Sequence, residues 1–166
     1  MSLITLSSLE RITAPKLAEM LLAASAAGST ITTSSSATVA EDQEGKIAIV
    51  DVRDDDHIGG HIRTSLHFPS RSLDAMMPTL LRRLADKEVV VFHCALSQQR
   101  GPGAALQYLR EKEAASAASS SPSSSAAKTT QKVYVLDRGF EGWQEVYGLD
   151  ERLTEGYRKE LWEGGY

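Results

Sequence analysis

Three short apolar runs recur along this chain: Ile47-Ala48-Ile49-Val50, Val89-Val90-Val91-Phe92 and Val133-Tyr134-Val135-Leu136. None alternates apolar with polar residues. A strand that reads this way is covered on both faces, the condition of a parallel sheet between helical layers. Helical patterns fill the intervals. Thr13 caps a helix with Pro15 in its first turn. Leu17, Met20, Leu21 and Ala24 form one face of it, and Gly28 is its stop. Leu73, Met76, Met77, Leu80, Leu81 and Leu84 form a second stripe, broken or restarted at Pro78. A third helix begins near Pro102 and turns Ala105, Leu106 and Leu109 inward, and a fourth runs from 138 through Trp143 and Tyr147. Shorter strands are predicted at 9–13 and 65–68. This alternation predicts an α/β sandwich around a mostly parallel sheet.

The chain has 166 residues, most simply one domain. Two segments do not belong to its core. Residues 29–44 are rich in Ser, Thr and Ala, and residues 114–130 are almost wholly Ala and Ser. Such segments bury too little to offset the entropy of ordering them, so both are expected as solvated, mobile insertions. The net charge is −4 with no basic run, which speaks against nucleic acid and anionic membranes as partners. No stretch approaches the ~20 apolar residues of a membrane span. The N-terminus lacks a secretory pattern. Cys94 is the only cysteine, so no internal disulfide framework exists. A reducing cytosolic or nuclear setting is expected.

That cysteine opens the run Cys94-Ala95-Leu96-Ser97-Gln98-Gln99-Arg100, directly after the second apolar run and His93. A loop between a strand and a helix can curl six backbone N–H groups, from Ala95 to Arg100, around a tetrahedral oxyanion. The positive end of the following helix favours the thiolate. An arginine closing the loop can take two oxygens in a planar fork. Ligands in such sheets bind beyond the carboxyl ends of the strands, where Cys94 falls.

Asp51-Val52-Arg53, Gly59-Gly60-His61-Ile62, His93-Cys94 with Arg100, and Gly139-Phe140 with Trp143 together resemble the rhodanese superfamily. Within it they are most similar to the phosphatases of the cell-division-cycle-25 type and the eukaryotic arsenate reductases. The resemblance implies a rhodanese-like fold, a five-stranded, mostly parallel sheet flanked by helices. It also implies a branch. Sulfurtransferases of the superfamily usually carry six residues in the active loop, and the phosphatases and arsenate reductases carry seven, as Cys94 to Arg100 does. The mitotic phosphatases usually have a glutamate in the loop and a second cysteine, and this chain has neither.

The resemblance assigns roles. Cys94 is the nucleophile and forms a phosphocysteine. Arg100 clamps the equatorial oxygens. Ala95, Leu96, Ser97, Gln98 and Gln99 complete the substrate loop, with the Ser97 hydroxyl either bonding substrate or turned outward. From its place at the last position of a buried strand, His93 either fixes the loop by a hydrogen bond or serves as a base; Asp51 orients Arg53 or the loop, and His61 holds a turn that Gly59 and Gly60 permit. The general acid is open. Asp54, Asp55 and Asp56 read as a solvated turn. Cys94 is expected exposed at the loop mouth. No metal and no bound cofactor are implied. The resemblance implies a phosphatase of the tyrosine or dual-specificity type, acting on a phosphate-bearing substrate such as a phosphoprotein, and/or an arsenate reductase. The reductase draws on external glutathione and glutaredoxin. A sulfurtransferase and a non-catalytic phosphate-binding module are the alternatives.

Overall fold

The computed structural model describes residues 5–27, 46–118 and 131–163. After a 3-10 turn at Leu6–Ser8 the elements run β1 (Glu10–Ile12), α1 (Ala14–Ala27), β2 (Ile47–Asp51), β3 (His61–Ile62) and β4 (Leu66–His67). They continue with α2 (Leu73–Leu84), β5 (Val89–His93), α3 (Arg100–Ala118), β6 (Lys132–Leu136), α4 (Gly139–Tyr147), β7 (Thr154–Glu155) and α5 (Lys159–Glu163). The main sheet has five strands in the order β1-β6-β5-β2-β4, and each neighbouring pair is parallel. The three continuous apolar runs are its three central strands.

Alternation along those strands divides the core. Ala48, Val50, Val90, Phe92, Val133 and Val135 pack with Leu73, Met77, Leu80 and Leu84 of α2 and Ala104, Ala105 and Tyr108 of α3. Ile49, Val91 and Leu136 pack with Leu17 and Ala18 of α1 and with Phe140 and Trp143 of α4. Helices therefore cover both faces, as the sequence pattern requires. Since β5 lies in mid-sheet, its carboxyl end opens onto the loop at Cys94 with a neighbouring strand end on either side.

Several expectations need correction. Helix α2 is not broken at Pro78. It runs unbroken to Leu84, with Pro78 on its exposed side. Helix α3 starts at Arg100, two residues before Pro102, so the proline lies in the first turn, where its missing N–H is harmless. It also runs through Ala118, into the segment expected as insertion, because alanine is the best helix former. The stop at Gly28, the 29–44 segment and 119–130 lie outside the described residues. The sequence showed no sign of β3 and β7, an antiparallel two-residue pair, or of α5. No helix among the described residues is long and apolar enough to cross a membrane.

Candidate active site

Cys94 follows the last residue of β5, and its loop bends back so tightly that the sulfur lies inside it. The residue is 3% exposed, so the expectation of a thiol at an open loop mouth does not hold. The reason is the closeness of α3. A Cβ on Gly101 would lie 3.2 Å from His93 Cα and 3.3 Å from Cys94 N, so any larger residue would push the helix start a few tenths of an ångström off the strand. The N–H of Ser97 donates to Cys94 Sγ at 3.1 Å. Ser97 reaches that position with φ at 55°, a left-handed backbone that a non-glycine residue adopts at some cost. Its side chain is fully buried, not turned outward, and its hydroxyl has no hydrogen-bond partner among the described residues. Ala95 is half-buried, while Leu96, Gln98 and Gln99 are exposed.

The back of the loop rests on the start of α4. The N–H of Phe140 donates to the Cys94 carbonyl at 3.0 Å, and that of Glu141 to the Ala95 carbonyl at 2.9 Å. Gly139, at φ +58°, makes this approach possible, since a Cβ there would lie 2.6 Å from both carbonyl oxygens. His93, wholly buried, donates from Nδ1 to the Cys94 carbonyl at 3.1 Å. Burial pushes its pKa down, toward the neutral ring. Arg11, in the middle of β1, donates to the Ser97 carbonyl at 3.3 Å and pairs with Asp137 at 3.5 Å. A cavity of about 330 Å³ opens there, lined by Arg11, Leu96, Ser97, Gln98, Asp137, Arg138, Glu141 and Gly142.

On the other side stands the turn after β2. Arg100 Nη1 and Nη2 take the two oxygens of Asp56 at 2.7 and 2.5 Å, and Nη1 also reaches Asp54 Oδ2 at 3.3 Å. Asp54 is itself fixed, accepting from the Ser70 hydroxyl at 2.6 Å and from the Arg71 N–H at 3.0 Å. The hydrogen bond from Arg100 holds Asp56 below the usual carboxylate range, ahead of a smaller opposing effect of burial. For Asp54, burial is the largest influence and raises the pKa, but its bonds to Ser70, Arg71 and Arg100 outweigh it. The acidic run is therefore not simply a solvated turn. That description fits Asp55 alone, whose side chain is 90% exposed beside Arg71. Sequence reasoning missed Asp54 and Asp56 as partners of Arg100, and missed Arg11 as well.

Asp51 orients Arg53 rather than the loop. Arg53 is fully buried and gives Nη2–H to Asp51 Oδ2 at 2.7 Å and to the Gly60 carbonyl at 2.8 Å. Its guanidinium stacks 4.3 Å from the centroid of Phe140. Burial raises the Asp51 pKa, and the charges of His93 and Arg53 more than offset it, to about 2. Because His93 is itself driven toward neutrality, Arg53 is the cation that keeps Asp51 ionised at neutral pH. All four histidines of the chain gather here. His57 stacks on His67 with centroids 3.8 Å apart and on His61 at 5.8 Å, and approaches Asp51 Oδ2 at 3.5 Å. His61 sits on the β3–β7 pair, 3.1 Å from Glu155, after Gly59 and Gly60 at φ +75° and +116°. Despite the gathering, no group of His, Cys, Asp and Glu among the described residues is arranged to hold a metal ion.

Residues 36–146 match the family model of the rhodanese-like domain. The chain is 38% identical over 124 residues to the CDC25-like phosphatase YCH1 of Saccharomyces cerevisiae, covering 69% of this chain and 76% of that one. It is 43% identical over 107 residues to arsenate reductase 2.1 of Oryza sativa subsp. japonica, covering 60% of this chain and 57% of the rice protein. The solved structure of Ygr203w, a yeast protein tyrosine phosphatase of the rhodanese family, superposes with a TM-score of 0.67 at 32% identity. That superposition covers 96% of this chain and 99% of the other.

Proposed function

The chain belongs to the rhodanese-like domain family, and on that premise we propose that it is a cysteine-dependent enzyme acting on phosphate or arsenate. Cys94 is the nucleophile and Arg100 the oxyanion clamp. The observation that carries this reading is the seven-residue loop itself. It closes around a buried sulfur that already accepts one backbone N–H, and it ends on an arginine at the start of a 19-residue helix. The helix end and the loop amides supply positive potential where the sulfur and the oxyanion place negative charge.

For a phosphate monoester, the Cys94 thiolate attacks phosphorus in line, the bond to the leaving oxygen breaks, and a phosphocysteine forms. Water then attacks phosphorus, releasing inorganic phosphate and the thiolate. Asp56 is a poor proton donor to the leaving group, since Arg100 keeps it ionised. Aryl phosphates, whose leaving groups need little protonation, are therefore better substrates than alkyl ones.

A second reading rests on the single cysteine of the sequence. With arsenate, Cys94 displaces one oxygen of arsenic(V). An external thiol then attacks the Cys94 sulfur, two electrons pass to arsenic, and arsenite leaves with a mixed disulfide on Cys94. No second cysteine of the chain can do this, so the thiol comes from outside, as from glutathione, with a glutaredoxin to restore Cys94. A cytosolic or nuclear setting keeps that thiol reduced. The domain reading that goes with this is one rhodanese-like unit over 1–166, with low-complexity insertions at 29–44 and, given the length of α3, from 119 to 130.

Parallel turnover of para-nitrophenyl phosphate and of arsenate with glutathione and glutaredoxin tests both readings. The chain turns over at least one, and Cys94→Ser loses all turnover while it still binds inorganic phosphate. Residual activity of Cys94→Ser within tenfold of the parent overturns the nucleophile. Phosphate binding without turnover of either substrate by the parent leaves a binding module instead.

A further inference from the structure

We propose that Asp56, backed by Asp54, is a positioning residue for the oxyanion-binding arginine. It grips Arg100 by the end of the guanidinium, so that the side edge formed by Nε–H and the second Nη2–H is presented to the substrate oxyanion. The proposal rests on the reading of Arg100 as the clamp.

A guanidinium carries five N–H donors in one plane. Asp56 takes one from Nη1 and one from Nη2 at 2.7 and 2.5 Å, and Asp54 takes the other Nη1–H at 3.3 Å. Three donors are thereby used. The two that remain, Nε–H and one Nη2–H, lie parallel along a single edge, and Nε donates to no group among the described residues. That edge is itself a fork that fits two oxygens of a tetrahedral oxyanion bidentately. The carboxylate thus does not consume the clamp. It removes the end-on face from use and leaves the side-on face as the one available.

The surroundings suit a brace. The Asp54 carboxylate is locked by Ser70 and by the Arg71 backbone, and the N–H of Asp54 donates to Asp56 Oδ1 at 2.9 Å, so the two acids form one rigid unit. Arg100 side-chain exposure is 34%, so without the pair its long side chain would sample solvent and lose its bearing on the loop. The charge of Cys94 is among the influences that raise the Arg100 pKa, after the Asp56 hydrogen bond and an opposing effect of burial, which places the guanidinium within electrical reach of the sulfur. A general-acid role for Asp56 would require a proton that Arg100 disfavours.

The test compares Asp56→Asn, Asp56→Ser and Asp56→Glu with the parent, using inorganic phosphate binding by calorimetry and turnover of para-nitrophenyl phosphate. The expected result is phosphate binding at least tenfold weaker in Asp56→Asn and Asp56→Ser, with melting temperatures near the parent's. Asp56→Glu, which keeps the carboxylate, recovers part of the affinity. In the parent, affinity falls more steeply at acid pH, as Asp56 takes a proton, than in Asp56→Asn, which keeps only the part of the fall due to protonation of phosphate itself. Unchanged phosphate affinity in Asp56→Asn overturns the brace. So does tighter binding, which would make Asp56 a competitor that the substrate must displace. Calorimetry needs no turnover, so a parent inactive on para-nitrophenyl phosphate counts against the enzymatic reading and leaves the brace to be judged by binding.

Discussion

On the α4 side of the Cys94 loop the contacts are backbone to backbone: two amides on two carbonyls, at a glycine that leaves room for nothing larger. On the β2–β3 side they are charge to charge: Asp56 and Asp54 on Arg100, Asp51 on Arg53, with His57 stacked alongside. The first flank is set mainly by shape, with only the neutral His93 ring and the exposed Arg11–Asp137 pair beside it, so salt and pH reach it little. The second is set by ionisation, and solvent conditions can loosen it. One loop is thus held rigidly where its carbonyls point and adjustably where its clamp points.

The largest effect is expected at the ionic flank. Asp51→Asn leaves the Arg53 guanidinium buried without its counter-charge, and the loss is about 3–5 kcal/mol. Urea unfolding at pH 7 measures it. A loss under about 1 kcal/mol would mean that the Gly60 carbonyl, with that of Ile58, which accepts from Arg53 Nη1 at 3.4 Å, suffices for Arg53. Next comes Gly139→Ala on the shape-held flank. The left-handed backbone and the clash with two carbonyl oxygens together cost about 1–3 kcal/mol, and displacement of the loop lowers kcat by about tenfold or more. The comparison requires that this deficit be the same at pH 6 and pH 8. A deficit that changes with pH would place titrating charge on the wrong flank.

The smallest effect concerns His57, whose pKa burial lowers below its ordinary 6.5 against an opposing pull from Asp51. A folded-state pKa below the unfolded one means that the unfolded chain takes up the proton first on acidification. The contribution to stability is then complete above about pH 6.5 and lost as pH falls through the folded-state value. Melting temperature should decline from pH 7 to pH 5, and His57→Gln should shallow the decline, with the slope that remains belonging in part to His93, shifted the same way. An identical slope in His57→Gln would remove His57 from the pH-sensitive flank.

Strands buried on both faces announce themselves, and β2, β5 and β6 were legible as unbroken apolar runs. The loop was legible too, because its chemistry is compressed into seven consecutive residues between a strand and a helix. The partners of Arg100 were not. Asp56 precedes it by 44 residues, and only the parallel pairing of β2 with β5 brings the two turns together. An acidic run carries no mark of which of its members will reach Arg100, and here the two outer residues do while Asp55 pairs only with the exposed Arg71. β3 and β7, two residues each, are too short for any periodicity to register. The extension of α3 to Ala118 had a signal, alanine's helix propensity, but low complexity in the same stretch spoke for a loop.

The strand order has a consequence for how the molecule is made. β1 lies at the sheet edge and pairs only with β6, across a sequence gap of more than a hundred residues. On a ribosome, β1 emerges long before its partner. Until Lys132–Leu136 has cleared the exit tunnel, Ile12 and Leu17 have no completed layer to enter, and the apolar face of α1 stays uncovered. Closure of so distant a pair is entropically slow. The Cys94 loop, whose carbonyls wait for the amides of α4 just after β6, therefore takes its final form only in the last stage of folding.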